Sequence, residues 1–298
     1  MSAPLLVLIN AGAGSRAAGS DEAKRLEVLA ACAQAGVEAV VEIVDGGRLT
    51  ERARRAADEG ARVVAAAGGD GTVNAVARAL VGRDTALAVL PLGTLNHFAK
   101  DLRLPLDLGS AAQVLARARV VAIDVGSVNG RCFLNNSSIG LYPRLVEDRE
   151  RQRADLGRRK YVAMAVAGWH ALKRLPLQRV HLDAGGRQLS RVVPFVFVGN
   201  NQYDFQIRPM GTRARIDAGR LWLYVPSARG RRELFRILFF ALFHRARQAR
   251  HLHALPVTHA TLRLRRGLAA VGIDGEIVRM RPPLRFRILQ GALKVVVP

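Results

Sequence analysis

A chain of 298 residues, half of them hydrophobic, has the size for one large domain or two ordinary ones, and buries a core without covalent staples. Its two cysteines, Cys32 and Cys132, argue against a disulfide framework or a four-ligand zinc site and fit a reducing compartment. Met1 to Ile9 lacks the basic start and long apolar core of a signal peptide. No uncharged apolar run nears the ~20 residues that span a bilayer, and the longest, Leu234 to Phe243, carries Arg236.

The net charge is +22, and it is unevenly placed. Up to Asp124 the 14 basic and 14 acidic residues cancel, so the whole excess lies in 125–298. Such asymmetry points to a polyanionic partner, a membrane or a nucleic acid. The alternative is an arginine-biased composition that serves solubility, since five of the 46 basic residues are lysine.

In chain order, Leu5–Ile9 reads as a buried strand, then a Gly-rich loop and a helix from Ser20 to about Gly36. Ala39–Val44 is a strand, Leu49–Glu59 a helix, Ala61–Ala67 and Ala86–Leu90 two more strands. Continuous apolar strands alternating with helices indicate a parallel sheet covered on both faces. Its ligands sit beyond the strands' C-terminal ends. Near Asp124 the pattern changes. Asn129-Gly130 between Asp124–Val128 and Arg131–Asn135 signals a hairpin. Val192–Gly199, Leu221–Val225, Ala260–Arg265 and Ala292–Val297 read as strands, and Leu145–Leu175 and Gly230–His253 as helical stretches. The expectation is an α/β domain over 1–124 and a mostly β domain with antiparallel pairing over 125–298, with a return of the terminal strand to the first domain left open.

Four motifs carry chemistry. Gly68-Gly69-Asp70-Gly71-Thr72-Val73-Asn74 follows a strand and opens a helix from Val73 to about Leu80. Its glycines let the backbone approach phosphate oxygens, and the helix start offers free N–H groups. Thr72 and Asn74 add donors, while Asp70 suits magnesium, a water or an orienting role. A tight strand-to-helix turn explains one or two of these glycines but not three around an acid. Pro91-Leu92-Gly93-Thr94-Leu95-Asn96-His97-Phe98-Ala99-Lys100-Asp101 also follows a strand and meets the same edge; N-capping is the plain alternative for Thr94 and Asn96. Asn10-Ala11-Gly12-Ala13-Gly14-Ser15 forms a third wall. Far downstream, Asp274-Gly275-Glu276 is either a hairpin turn or the seat of a general base, and spacing leaves both open.

Together these motifs resemble the diacylglycerol kinase and sphingosine kinase catalytic family, in particular its bacterial soluble lipid kinases. The first motif is shared with NAD kinases and phosphofructokinases; the second, with Gly93-Thr94 and Asn96 ahead of Phe98-Ala99, is more specific. The resemblance implies a phosphofructokinase-like parallel α/β domain followed by a β-sandwich, with ATP and Mg2+ as substrate and cofactor. It implies that Asn10, Gly68 to Asn74, Gly93, Thr94 and Asn96 bind the nucleotide. Glu276 would accept the proton of a lipid hydroxyl, Asp274 would assist, and Asp124 with Asp217 would belong to a metal network. Two positions depart from the family: His97 replaces an acid, and Asp217-Ala218-Gly219-Arg220-Leu221-Trp222 keeps one acid of a metal loop. The implied partners are a membrane lipid and an anionic membrane surface on the cytoplasmic side, without nucleic acid, and a homodimer stays open. The helix at Gly230–His253, rich in Leu, Phe and Arg, is the sequence's candidate for lying in that interface. The rivals are a NAD kinase-like enzyme and a non-catalytic membrane-binding protein on a kinase scaffold.

Overall fold

A computed structural model describes residues 4–11, 20–117, 119–140, 177–204, 212–213, 215–226, 252–265 and 267–298. Gly12 to Ser15, the helical stretch at 145–175 and that at 230–253 lie outside these residues, except Leu252 and His253, which open a strand. The chain divides into two units. One holds Met1–Val125, Thr212–Gly219 and Leu289–Pro298, the other Gly126–Gly211 and Arg220–Ile288.

The first unit alternates strands and helices: β1 (Leu5–Asn10), α1 (Ser20–Gln34), β2 (Ala39–Val44), α2 (Leu49–Asp58), β3 (Val63–Gly68), α3 (Asp70–Leu80), β4 (Ala86–Pro91), α4 (His97–Asp101) and α5 (Leu108–Arg117). The order β2-β1-β3-β4 is parallel throughout. Every residue of β4 is buried, as are Val64 to Gly68 of β3, so both faces of these strands are covered. Alanines at Ala65, Ala66 and Ala67 keep the sheet thin under its helices. β18 (Leu284–Val297), whose residues from Leu289 onward belong to this unit, extends the sheet parallel to β4, with Val295 opposite Leu87. On this strand Lys294 hydrogen-bonds Asp84 at 2.8 Å, which holds that exposed carboxyl below its usual range.

Two boundaries differ from the sequence reading. α3 begins at Asp70 rather than Val73, because Gly69 is extended and ends β3's path as the N-cap, leaving Asp70 to supply the acid of the first turn. α5 escapes the apolar pattern. It starts where the Asp107 carboxylate accepts the Ser110 N–H at 2.8 Å, a capping bond that also lowers the Asp107 pKa.

The second unit is antiparallel. After β5 (Arg119–Val128), which enters it at Gly126, come β6 (Arg131–Phe133), β7 (Asn136–Gly140), β8 (Gln178–Ala184), β9 (Arg187–Val193) and β10 (Phe195–Asn200). Then follow β11 (Tyr203–Asp204), β12 (Thr212–Arg213, in the first unit), β13 (Leu221–Pro226), β14 (Leu252–Val257), β15 (His259–Leu264), β16 (Ala269–Ile273) and β17 (Glu276–Met280). One layer has the order β14-β13-β10-β7-β16-β17, and the start of β18 with β15, β8 and β9 forms the other. Both feed one core, with Leu182, Leu262 and Phe286 meeting Val198, Leu223 and Val271. This is the β-sandwich layout. The strand expected over Val192–Gly199 is two strands, β9 and β10. Pro194 between them has no N–H to donate, so the ladder breaks there.

Candidate functional site: a glycine-lined cradle

The C-terminal ends of β1, β3 and β4 lie side by side, with Ile9 opposite Ala67 and Gly68 opposite Pro91. The loops that leave them therefore open at one edge. They enclose a cavity of about 330 Å³, lined by Asn10 from β1, by Gly68, Gly69, Asp70, Gly71 and Thr72, and by Leu92, Gly93, Thr94 and Leu95.

Close packing explains two of its glycines. A Cβ on Gly93 would sit 2.4 Å from the Gly69 Cα and 2.7 Å from the Asn96 Oδ1. A Cβ on Gly68 would meet the Thr72 Oγ1 at 2.5 Å. The two loops thus touch backbone to backbone. Gly71 has nothing within 4 Å of where its Cβ would stand, so packing does not demand a glycine there.

Polar side chains lock this arrangement. Asp70 Oδ1 accepts the Phe98 N–H at 3.2 Å, tying the first turn of α3 to the start of α4. Asn96, left-handed at φ 49°, accepts from the Gly93 N–H at 3.1 Å and donates to the Gly93 carbonyl at 2.7 Å. It closes the Gly93–Asn96 turn on itself and makes no side-chain cap of α4, so the capping alternative does not describe it. Asp101, at the end of α4, accepts from Arg213 Nη2 at 2.7 Å and Nε at 2.9 Å, with both side chains nearly sealed from solvent.

Of the nucleotide-site residues expected from sequence, Asn10, Gly68, Gly69, Asp70, Gly71, Thr72, Gly93 and Thr94 line the cavity. Val73, Asn74 and Asn96 stand behind it as buried supports. The Asn74 Oδ1 has no hydrogen-bond partner among the described residues. Sequence reasoning missed Lys24, which reaches the cavity from α1 and pairs with Asp21 at 3.2 Å. Its signal was weak: one of few lysines, one helical turn after a Gly-rich loop. Leu95, about half exposed, was missed as well.

The remaining candidates lie elsewhere in the chain. Asp124, 3% exposed, accepts the Gly219 N–H on one oxygen at 2.6 Å and the Gly291 N–H on the other at 3.0 Å. Asp217 pairs with Arg215 at 3.1 Å. Among the described residues no three His, Cys, Asp or Glu side chains gather where a metal ion would bind. Asp274 and Gly275 form a two-residue hairpin turn, both at positive φ, between β16 and β17. The Asp274 carboxylate accepts the amides of Leu134, Asn135 and Asn136 at 2.8–3.0 Å, which anchors the entry to β7. Glu276 is exposed at the first position of β17, in the second unit.

A cavity walled by backbone amides, a helix N-terminus and a lysine suits a polyanion such as a chain of phosphates. On a parallel α/β sheet this is the architecture of a phosphate-binding domain.

Comparison with known proteins sharpens the class. Residues 4–128 match the model of the diacylglycerol kinase catalytic domain. A probable lipid kinase YegS-like protein of Cronobacter sakazakii is 42% identical over 124 residues, 40% of this chain and 42% of that protein. Its counterpart in Pectobacterium atrosepticum is 34% identical over 174 residues, 55% and 56% of the two. The matches thus span about half the length of these curated relatives. The fold extends further. A solved diacylglycerol kinase from Bacillus anthracis overlays with TM-score 0.68 at 19% identity, covering 99% of this chain and 97% of that one. Yeast NADH kinase gives TM-score 0.55 at 10% identity, over 100% and 84%.

Proposed function

We propose that this chain is an ATP-dependent lipid kinase that phosphorylates a hydroxyl of a membrane lipid of the diacylglycerol or sphingoid kind. The observation that carries the reading is the convergence of three strand ends, with their glycines, on one cavity fit for a triphosphate. The helix N-terminus of α3 and Lys24 supply positive potential, and Asp70 and Asn96 keep the two loops preorganised. Magnesium carried by the nucleotide would neutralise charge on the transferred phosphoryl group, and Asp70 is the carboxylate of the cavity suited to hold it. Asp124 and Asp274 suit that ion less, since backbone amides already occupy their oxygens. Glu276 is the proposed general base, accepting the hydroxyl proton as the oxygen attacks the γ-phosphorus and the β–γ bridging oxygen departs with ADP. The lipid requires contact with a bilayer. No helix among the described residues is long and apolar enough to cross one, so the proposed association is peripheral, on the cytoplasmic face.

The test is transfer from labelled ATP, with magnesium and mixed anionic vesicles, followed by solvent extraction. Label is expected in the organic phase; label confined to water-soluble products would reassign the protein to a NAD kinase-like activity. Glu276→Gln is expected to lower turnover by about a hundredfold or more while ATP binding persists. Unchanged turnover would remove Glu276 from the mechanism.

A further inference from the structure

In the second unit, β18, β15, β8 and β9 pair antiparallel, and their side chains alternate. Leu284, Phe286, Ala260, Leu262, Val180, Leu182 and Ala184 point into the core. The intervening positions form the opposite face, and there the charge is one-sided. Arg285 and Arg287 come from β18, Arg263 from β15 and Arg179 from β8, all exposed, with Arg265 exposed just past β15. Asp183 is the one acid at these outward positions.

The register adds to the imbalance. His259 lies directly opposite Arg287, and His181 directly opposite Arg263. Each sets an imidazole rather than a carboxylate beside a guanidinium. Neither pair therefore supplies the opposite-charge attraction that stabilises a ladder. Several basic residues of the first unit, by contrast, meet acids: Arg25 with Glu22, Arg52 with Glu42, Arg55 with Glu51, Arg83 with Asp58, Lys294 with Asp84. Among the described residues no ion pair reaches any of the five arginines of this face.

We propose that this sheet face is the surface by which the protein docks on an anionic lipid bilayer; the proposal rests on the lipid-kinase reading and assigns it a contact area. Charge complementarity selects an anionic partner. The face carries no Phe, Tyr or Trp on which a base would stack, which disfavours single-stranded nucleic acid. At one end Val192, opposite Arg179, and Leu177, just before β8, are each nearly half exposed. Apolar groups beside cations suit the boundary between headgroups and acyl chains.

The experiment is vesicle co-sedimentation with equal parts phosphatidylglycerol and phosphatidylcholine, against phosphatidylcholine alone. Arginines near such a surface contribute about fivefold each, so Arg263→Gln/Arg285→Gln/Arg287→Gln should weaken binding to the anionic vesicles on the order of a hundredfold. All three side chains are exposed, so the melting temperature should hold. Removing the same charge from the first unit, by Arg54→Gln/Arg55→Gln/Arg103→Gln, should change binding by no more than about threefold. Retained vesicle binding in the first variant, or an equal loss in the second, overturns the assignment. So does a variant that loses binding to a duplex oligonucleotide while still sedimenting with vesicles. Binding needs no turnover, and transfer to detergent-dispersed lipid in the same variants is expected to be unchanged, so failure of the docking face is distinguishable from failure of the kinase reading.

Discussion

Gly71 and Gly93 sit in the same cavity for different reasons. At Gly93 a methyl group would collide with the Gly69 backbone and the Asn96 amide, neither of which can swing away. Gly93→Ala should therefore lower the melting temperature by several degrees together with ATP affinity. At Gly71 the methyl has free space and a helix to favour it, so Gly71→Ala should leave melting within about a degree and still raise the KM for ATP by filling the cavity. Calorimetry and initial rates on the pair separate packing from ligand contact. Lys24→Ala should raise the KM for ATP roughly tenfold, about 1.4 kcal/mol, with kcat nearly constant, and Lys24→Arg should restore most of it. At this scale the glycines were legible in the sequence because a Gly-Gly-Asp-Gly-Thr run between strand and helix has few other uses. Lys24 was not, since its place on the cavity depends on how α1 packs. The locking roles of Asp70 and Asn96 were hidden too, as both act on residues contributed by a neighbouring turn.

Among the elements, the parallel strands were readable because full burial leaves unbroken apolar runs, as in Ala86–Leu90. Boundaries suffered wherever one residue decided them. Gly69 moves the start of α3 back to Asp70, and Pro194 splits an apolar stretch that otherwise reads as one strand. The Asp274-Gly275 turn was legible, yet nothing in its spacing revealed that the carboxylate reaches three amides well over a hundred residues away. α4 is the element most dependent on its surroundings. It has five residues, too few to persist alone, and is pinned by Asp70 at one end and by the Asp101–Arg213 pair at the other. Asp101→Ala takes two hydrogen bonds and the paired charge from a buried guanidinium, and urea unfolding should show a loss of about 3 kcal/mol. A loss below about 1 kcal/mol would mean that other groups or water satisfy Arg213.

For the whole molecule, the charge asymmetry and the two fold types were visible in composition and periodicity, but the path of the chain was not. The first unit takes residues 212–219 and 289–298 from far along the sequence, and Val295 to Val297 are buried within it. The family match ends at residue 128, so a fragment of residues 1–128 would lack β18 along the edge of β4. That fragment should be insoluble or lack a cooperative thermal transition, whereas adding a peptide of residues 284–298 should recover part of the signal. The position of β18 also sets a schedule for biosynthesis. The ribosome releases the four parallel strands early, and the strip that seals their open side emerges about 200 residues later. At ordinary elongation rates that interval is roughly ten to forty seconds. Throughout it the nascent sheet presents an unsealed margin, so the nascent chain should engage chaperones until β18 has been made, and the first unit completes itself only after the second has been synthesised.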